Sequence, residues 1–202
     1  MNKKKSEWQA SDGLKAQAAV VELLKYIGED PAREGLRDTP ARVCKAWREM
    51  TAGYAQDPAK ILGTDFDVGR YDEMILVPDI SFTSICEHHM LSFEGVAHVA
   101  YLPNRKTLRC VGLSKIPRVV EAFARRLQVQ ERMTMQIAET IGEHLKASGV
   151  GVIVQAKHSC MCARGVKQKD ASMVTSALLG EFRRATTRAE FQALVAMTRT
   201  QK

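Results

Sequence analysis

Two short clusters of cysteine and histidine, far apart along the chain, constrain the fold more than any other feature. The first is Cys86-Glu87-His88-His89, with a thiol and an imidazole at C-x-x-H spacing, and the second is His158-Ser159-Cys160-Met161-Cys162. Cys and His supplied from two separated segments are the usual ligands of a zinc site. A fold that builds one site from them must bring the two segments together. The alternative is that these thiols and imidazoles are ordinary packed side chains of the core.

The number of ligands decides what such a site does. A closed structural site would use four side chains: Cys86, His89, Cys160 and Cys162. Without Cys162, the fourth position is open to water, as in catalytic zinc sites. The C-x-C spacing favours the open form, because structural pairs usually have a gap of roughly two to four residues. His88 and His158 would then lie beside the metal as groups for acid–base chemistry near neutral pH.

Charge and cysteine content limit the compartment and the partners. Five cysteines are an odd number, and residues 1–6 are basic without a following apolar stretch, so we expect reduced thiols, no secretory signal and a cytoplasmic protein. No apolar run reaches the roughly 18 residues of a membrane span. The net charge of +7 suits an anionic partner, either a nucleic acid or a polyphosphate metabolite. Few aromatics (6%) and no recognised nucleic-acid motif argue against the first.

Apolar periodicity predicts an α+β chain with an antiparallel sheet. Helices are expected over residues 14–27, after an N-cap at Thr39, after an N-cap at Ser114, over residues 133–145, and after a capping box at residues 187–190. Strands are expected over residues 74–82 (interrupted at Pro78), 93–102 and 150–156, whereas 173–182 is ambiguous. Residues 51–73 have no periodicity and are interpreted as a linker. We therefore divide the chain into an N-terminal helical region, 1–72, and a main domain, 73–202.

Several polar residues outside the two clusters have both a functional and a structural interpretation. Lys115 and Arg118 follow a helix start and Arg164 follows the second cluster, where they could bind phosphate or be solvated surface charges. Gln130 and Glu131 interrupt an apolar stripe and could read a purine edge or form a polar corner between helices. His98 and His144 are assigned to structure.

Together these residues resemble the GTP cyclohydrolase I family. The motifs that carry the resemblance are CEHH at 86–89, GLSK at 112–115, QVQER at 128–132 and HSCMCARG at 158–165, supported by segments 28–43 and 174–183. The resemblance covers residues 14–198. It implies the tunnelling fold, an antiparallel four-stranded sheet with two helices on one face, preceded by a helical region. It also implies a homodecamer of toroidal pentamers with active sites between subunits.

The resemblance further implies a reaction and a role for each matching residue. The family converts GTP and water into formate and 7,8-dihydroneopterin triphosphate, the first step of folate or pterin biosynthesis, and water activated by Zn²⁺ attacks guanine C8. The implied zinc ligands are Cys86, His89 and Cys160. The implied acid is His158, and His88 assists ring opening. The implied substrate contacts are Gln130 and Glu131 for guanine, Ser114 for ribose, and Lys115, Arg118, Arg164 and Arg42 (from another subunit) for the triphosphate.

Two departures from the family pattern bear on the site. A short insertion around residues 108–110 adds the thiol of Cys110, and Cys162 stands where family members often have Thr, Ser or Lys. Cys162 could cap the metal, although we expect the local geometry to turn it away. Two other hypotheses remain open at this point. They are a structural-zinc module that binds nucleic acid and a paralogue of the same fold that acts on another purine or pterin. Allosteric regulation is also left open.

Overall fold

The N-terminal part of the chain is helical, as expected. The computed structural model describes residues 10–63, 65–67, 69, 71–104 and 106–199, so the basic segment at 1–6 lies outside the described residues. Helices α1 (Ala10–Tyr26) and α2 (Thr39–Met50) pack against each other. Gly28 follows α1 with φ of 86°, the left-handed conformation that commonly ends a helix at glycine. The N-cap of α2 is Asp38, so Thr39 is the first helical residue and the predicted cap was wrong by one position.

The segment predicted as a linker contains regular structure. It includes a 3₁₀ helix (Ala52–Ala55), the short helix α3 (Pro58–Ile61) and strand β1 (Asp65–Asp67). The Asp57 carboxylate caps α3 by accepting from the backbone N–H groups of Ala59 and Lys60. Strand β1 pairs with β4 (Arg109–Val111), which lies in the region of the suspected insertion. These elements are too short for periodicity to show, and the division of the chain at residue 72 stays a prediction.

A mixed sheet forms the centre of the molecule. Its strands are β2 (Ile75–Cys86), β3 (Ser92–Leu102), β5 (Leu127–Gln128), β6 (Gly149–His158) and β7 (Met173–Gly180), in the order β5-β2-β3-β6-β7. Strands β2, β3, β6 and β7 are antiparallel, and the two-residue β5 adds a parallel pairing at the edge. The predicted four-stranded antiparallel sheet is confirmed. Pro78 does not end β2, because a register shift between Val77 and Ile80 accommodates the residue without an N–H.

Two helices cover one face of this sheet, which confirms the α+β class. They are α4 (Lys115–Ala124) and α5 (Gln130–Leu145), and their apolar stripes pack with alternate strand residues in the main core. Four large side chains of these helices are fully buried: Ile116, Met133, Ile137 and Ile141. Leu127 continues the apolar spacing of α4 in the sequence, but it lies in β5. No helix in the described ranges is long and apolar enough to cross a membrane.

A smaller core lies apart from the main one and involves the C-terminal helix. Helix α7 (Ala185–Arg199) places Phe191 and Val195 against Phe182, Met74 and Ala100. The predicted capping box was wrong, because α7 already begins at Ala185 and residues 187–190 lie inside it. A 3₁₀ helix (Glu181–Arg183) precedes it directly, and the ambiguous segment before that is strand β7.

Candidate metal centre and active site

The first cysteine–histidine cluster forms the turn between β2 and β3. Cys86 is the last residue of β2 and is buried. Its N–H donates to the carbonyl of Leu91 at 2.8 Å, and its carbonyl accepts from the N–H of Met90 at 2.8 Å. Met90 has φ of 55°, which a non-glycine residue adopts rarely and mostly at constrained turns. The tight turn keeps the Cys86 side chain in the core while exposing His88 and His89.

The second cluster reaches the same place because β6 runs beside β3. The register pairs Phe93 with His158, so the end of β6 lies next to the start of β3. The residues that follow form a short helix, α6 (Ser159–Cys162). As a result, the ligand atoms of Cys86, His89 and Cys160 lie within 4.8 Å of one another. The structure therefore brings together the three predicted ligands in a group that could hold a metal ion.

Cys162 is not part of this group. Its Sγ lies 3.4 Å from the backbone carbonyl of Gln168, to which it donates. Among the residues that the structure describes, the group therefore contains two thiols and one imidazole, one ligand fewer than a closed structural zinc site has. Burial, then the neighbouring Cys86 thiol, raises the pKa of Cys160. A bound cation would reverse this preference, because the thiolate is the form that ligates metals.

Arg132 stabilises the turn between Cys86 and His89, and the sequence analysis did not single this residue out. Its guanidinium makes a bidentate contact with the Glu87 carboxylate and also donates from Nε to Gln128 Oε1 at 3.1 Å. A further donation reaches the carbonyl of Leu127 at 3.2 Å, and the Glu87 N–H donates to the Gln128 carbonyl at 3.0 Å. The hydrogen bond from Arg132 lowers the pKa of Glu87 and keeps its carboxyl charged. Arg132 therefore connects the turn between Cys86 and His89 to the start of α5.

We expect Arg132→Lys to weaken metal binding without unfolding the protein. Lysine keeps the charge but cannot form the planar bidentate contact or reach several acceptors at once. Arg132 contacts Glu87, which lies between two of the ligands and is not itself one of them. We therefore expect a loss of about 10-fold, the lower end of the roughly 10- to 100-fold that losing a direct partner of a metal ligand typically costs. Competition with a chromophoric chelator measures the change. Arg125→Lys is the matched control, because Arg125 makes an exposed ion pair within α4 to Glu121, and it should leave metal affinity unchanged. Equal affinities for both variants would contradict the role given to Arg132.

His158 is held in a defined orientation beside the metal group. Its ring stacks on Phe93, with centroids 4.5 Å apart and planes 2° apart. Its Nε2 lies 2.9 Å from Gln130 Oε1. Burial lowers the pKa of His158, and the charge of Glu131 opposes that shift. A half-buried imidazole of this kind is suited to proton transfer.

The other predicted site residues lie at varying distances from this centre. Arg164 Nη1 lies 3.2 Å from His89 Nε2, so its guanidinium is at the metal group. The His88 ring lies edge-on to that of His89, with centroids 6.5 Å apart. Exposed Ser114 precedes α4, whose first residue is Lys115, and Arg118 lines a separate pocket with residues of α3. Arg42 is exposed on α2 and pairs with Asp38 at 3.1 Å.

The two residues predicted to contact guanine differ sharply in solvent exposure. Gln130 is 1% exposed and its amide is hydrogen-bonded within the chain, whereas Glu131, the next residue, is exposed. The spacing of apolar residues could not show whether the polar side chain of Gln130, at the start of α5, is buried or exposed.

Comparison with known proteins identifies the family. A family model described as GTP cyclohydrolase I matches residues 16–196. The chain is 50% identical to GTP cyclohydrolase 1 of Streptomyces griseus subsp. griseus over 186 residues, covering 92% of each protein. It is 54% identical to GTP cyclohydrolase 1 of Chlorobaculum tepidum over 178 residues, covering 88% of this chain and 78% of the relative. With GTP cyclohydrolase 1 of Campylobacter lari it shares 50% identity over 182 residues, covering 90% of this chain and 94% of the relative. The chain therefore belongs to the GTP cyclohydrolase I family.

Proposed function

We propose that this chain is a zinc-dependent GTP cyclohydrolase. It hydrolyses GTP at guanine C8, opens the ring, releases formate and rearranges the remainder to 7,8-dihydroneopterin triphosphate, the first step of folate or pterin biosynthesis. The observation that carries the proposal is the open group of Cys86, His89 and Cys160 beside a half-buried His158. Membership of the family and the names of the relatives support the substrate.

The donor set fits zinc. Thiolate and imidazole ligands in this number suit Zn²⁺ better than the oxygen-seeking Mg²⁺ or Ca²⁺. The three ligand atoms are within 4.8 Å of one another, which is compatible with ligands that share one ion. When bound, zinc supplies a Lewis acid that lowers the pKa of water towards neutrality. Cys162, which donates to Gln168, leaves room for that water and for substrate.

The residues around the metal group supply binding and proton transfer. His158 delivers a proton to the imidazole nitrogen of guanine as the ring opens, and exposed His88 assists the later steps. Exposed Glu131 accepts from the guanine edge, and Ser114 binds the ribose. The positive side chains that bind the triphosphate are Lys115, Arg118, Arg164 and Arg42. Arg42 comes from another subunit of a homodecamer, and its exposure on α2 supports this arrangement.

The direct test is turnover by the purified protein. We expect zinc-loaded protein to release one formate per GTP consumed and to form a product that becomes fluorescent on oxidation to the pterin. Folded, zinc-loaded protein that releases no formate from GTP contradicts the proposal. Formate from another purine triphosphate, in the absence of GTP turnover, would instead identify a paralogue with a different substrate. Salt-dependent binding of oligonucleotides without turnover would support the nucleic-acid hypothesis.

A further inference from the structure

Three oxygen atoms surround the amide nitrogen of Gln130. Its Nε2 lies 3.1 Å from each of three oxygens, the Val154 carbonyl, the Met173 carbonyl and Thr175 Oγ1. Carbonyl oxygens accept hydrogen bonds and cannot donate them, so the amide nitrogen has to lie on this side. A flipped amide would place Oε1 against two carbonyl oxygens. The position of the oxygen is therefore fixed by the strands on which Gln130 packs.

The amide oxygen faces His158 as a consequence. Gln130 Oε1 lies 2.9 Å from His158 Nε2, and an amide oxygen can only accept. His158 must therefore carry a hydrogen on Nε2. The Phe93 ring, stacked at 4.5 Å, fixes the plane of the imidazole. Gln130 occupies Nε2 and Phe93 fixes the ring plane, so Nδ1 is the ring nitrogen that remains available to another group.

A threonine pair holds Gln130 in this position. Thr134 Oγ1 bonds the backbone carbonyl of Gln130 at 2.7 Å and Thr175 Oγ1 at 2.7 Å. Thr134 is itself buried, one turn further along α5. The chain of contacts thus runs from β7 through two hydroxyls and one amide to the imidazole. Each member has its partners inside the chain, so the amide reaches a bound base only if these bonds break.

We propose that Gln130 is a positioning residue that acts through His158 rather than a residue that reads the guanine edge. It orients the imidazole by accepting a hydrogen bond from Nε2, which leaves Nδ1 as the ring nitrogen that can face the substrate. The guanine edge is then left to Glu131, whose side chain is exposed beside it. This assignment rests on the proposed function, because it gives His158 its role as the acid.

The kinetic test separates positioning from base recognition. Gln130→Met keeps a side chain of similar length but removes both the donor and the acceptor. We expect kcat to fall by on the order of 10- to 100-fold, with the KM for GTP and the zinc content unchanged. The fall should be equal for GTP and for inosine triphosphate, which lacks the exocyclic amine. Glu131→Gln is the matched comparison, and it should raise KM and alter discrimination between the two nucleotides.

A conservative variant provides the rescue. In Gln130→Glu, burial beside two carbonyl oxygens favours a neutral carboxyl, whose O–H donates and whose C=O still accepts from His158. We expect this variant to recover part of the kcat lost in Gln130→Met. A raised KM with altered nucleotide discrimination in Gln130→Met would overturn the proposal. So would a fall in kcat that only follows a loss of zinc, or a Gln130→Glu variant no faster than Gln130→Met.

A crystallographic readout keeps this inference distinct from the proposed function. In the zinc-loaded Gln130→Met protein, we expect the His158 imidazole to leave the orientation that it has in the wild type. An unchanged imidazole would contradict the positioning role even if activity fell. If wild-type protein released no formate from GTP, the proposed function would fail, whereas the imidazole orientation would still test the contact.

Discussion

The Cys160→Ala variant is expected to lose both its zinc and its turnover of GTP. Cys160 supplies one of three side chains whose ligand atoms lie within 4.8 Å of one another. Removing it leaves one thiol and one imidazole, the latter in an exposed turn, and two ligands do not hold zinc against dialysis. Zinc analysis of the dialysed protein should show one ion per subunit in the wild type and a trace in the variant. Formate release should become undetectable.

The matched control for this variant is two residues further along the same helix. Cys162→Ala removes an identical thiol that donates to the Gln168 carbonyl. We expect this variant to keep its zinc and its turnover, because Cys162 is not one of the three clustered ligands. Zinc loss in Cys162→Ala would show a closed site with four protein ligands. The same result would make the metal structural and would favour the nucleic-acid hypothesis.

The His158→Ala variant is expected to keep its zinc and to lose most of its turnover. His158 stacks on Phe93 and bonds Gln130, and it is not one of the three clustered ligands. General acid catalysis contributes typically about 10²- to 10⁴-fold to a rate, so kcat should fall by that order. Metal analysis and formate release on the same preparation measure both effects.

A second histidine provides the control for His158. His144 is exposed on α5, and His144→Ala should change neither zinc content nor kcat. If His158→Ala lost as much zinc as Cys160→Ala, the roles of ligand and acid would have been exchanged. If it retained full turnover, another group would have to protonate guanine.

The meeting of the two clusters could be predicted, because one segment with the composition of a strand follows the first cluster and another leads into the second. Residues 93–102 and 150–156 each had the composition of a strand, and an antiparallel sheet that pairs them brings Cys160 to the turn after Cys86. Only the C-x-C spacing favoured a group of three ligands over a closed set of four. The contact between Cys162 and the Gln168 carbonyl lies in a segment without periodicity and could not be predicted.

The contacts that Arg132 and Gln130 make around the site could not be predicted from the sequence. Arg132 reaches Glu87 only because the two-residue β5 pairs in parallel with the end of β2, and a strand so short has no pattern. The burial of Gln130 depends on β6 and β7 approaching the start of α5. The wrongly predicted capping box shows that a local sequence signal does not fix where a helix begins. At residues 187–190 the local signal was present, but the chain had already entered the helix after the 3₁₀ turn that contains Phe182.

The position of Cys86 at the end of β2 and of Cys160 just after β6 has a consequence for the unfolded chain. Cys86 and Cys160 are far apart in sequence, and an ion held by both closes a long loop in the same way as a covalent cross-link. Closing a long loop restricts the conformational entropy of the unfolded chain more than closing a short one. Unlike a disulfide, this cross-link depends on the free concentration of its ion, and ions that bind only the folded chain stabilise it by mass action. We therefore expect the thermal stability of the zinc-loaded protein to rise with the free zinc concentration, through the same three side chains that are proposed to prepare it for catalysis.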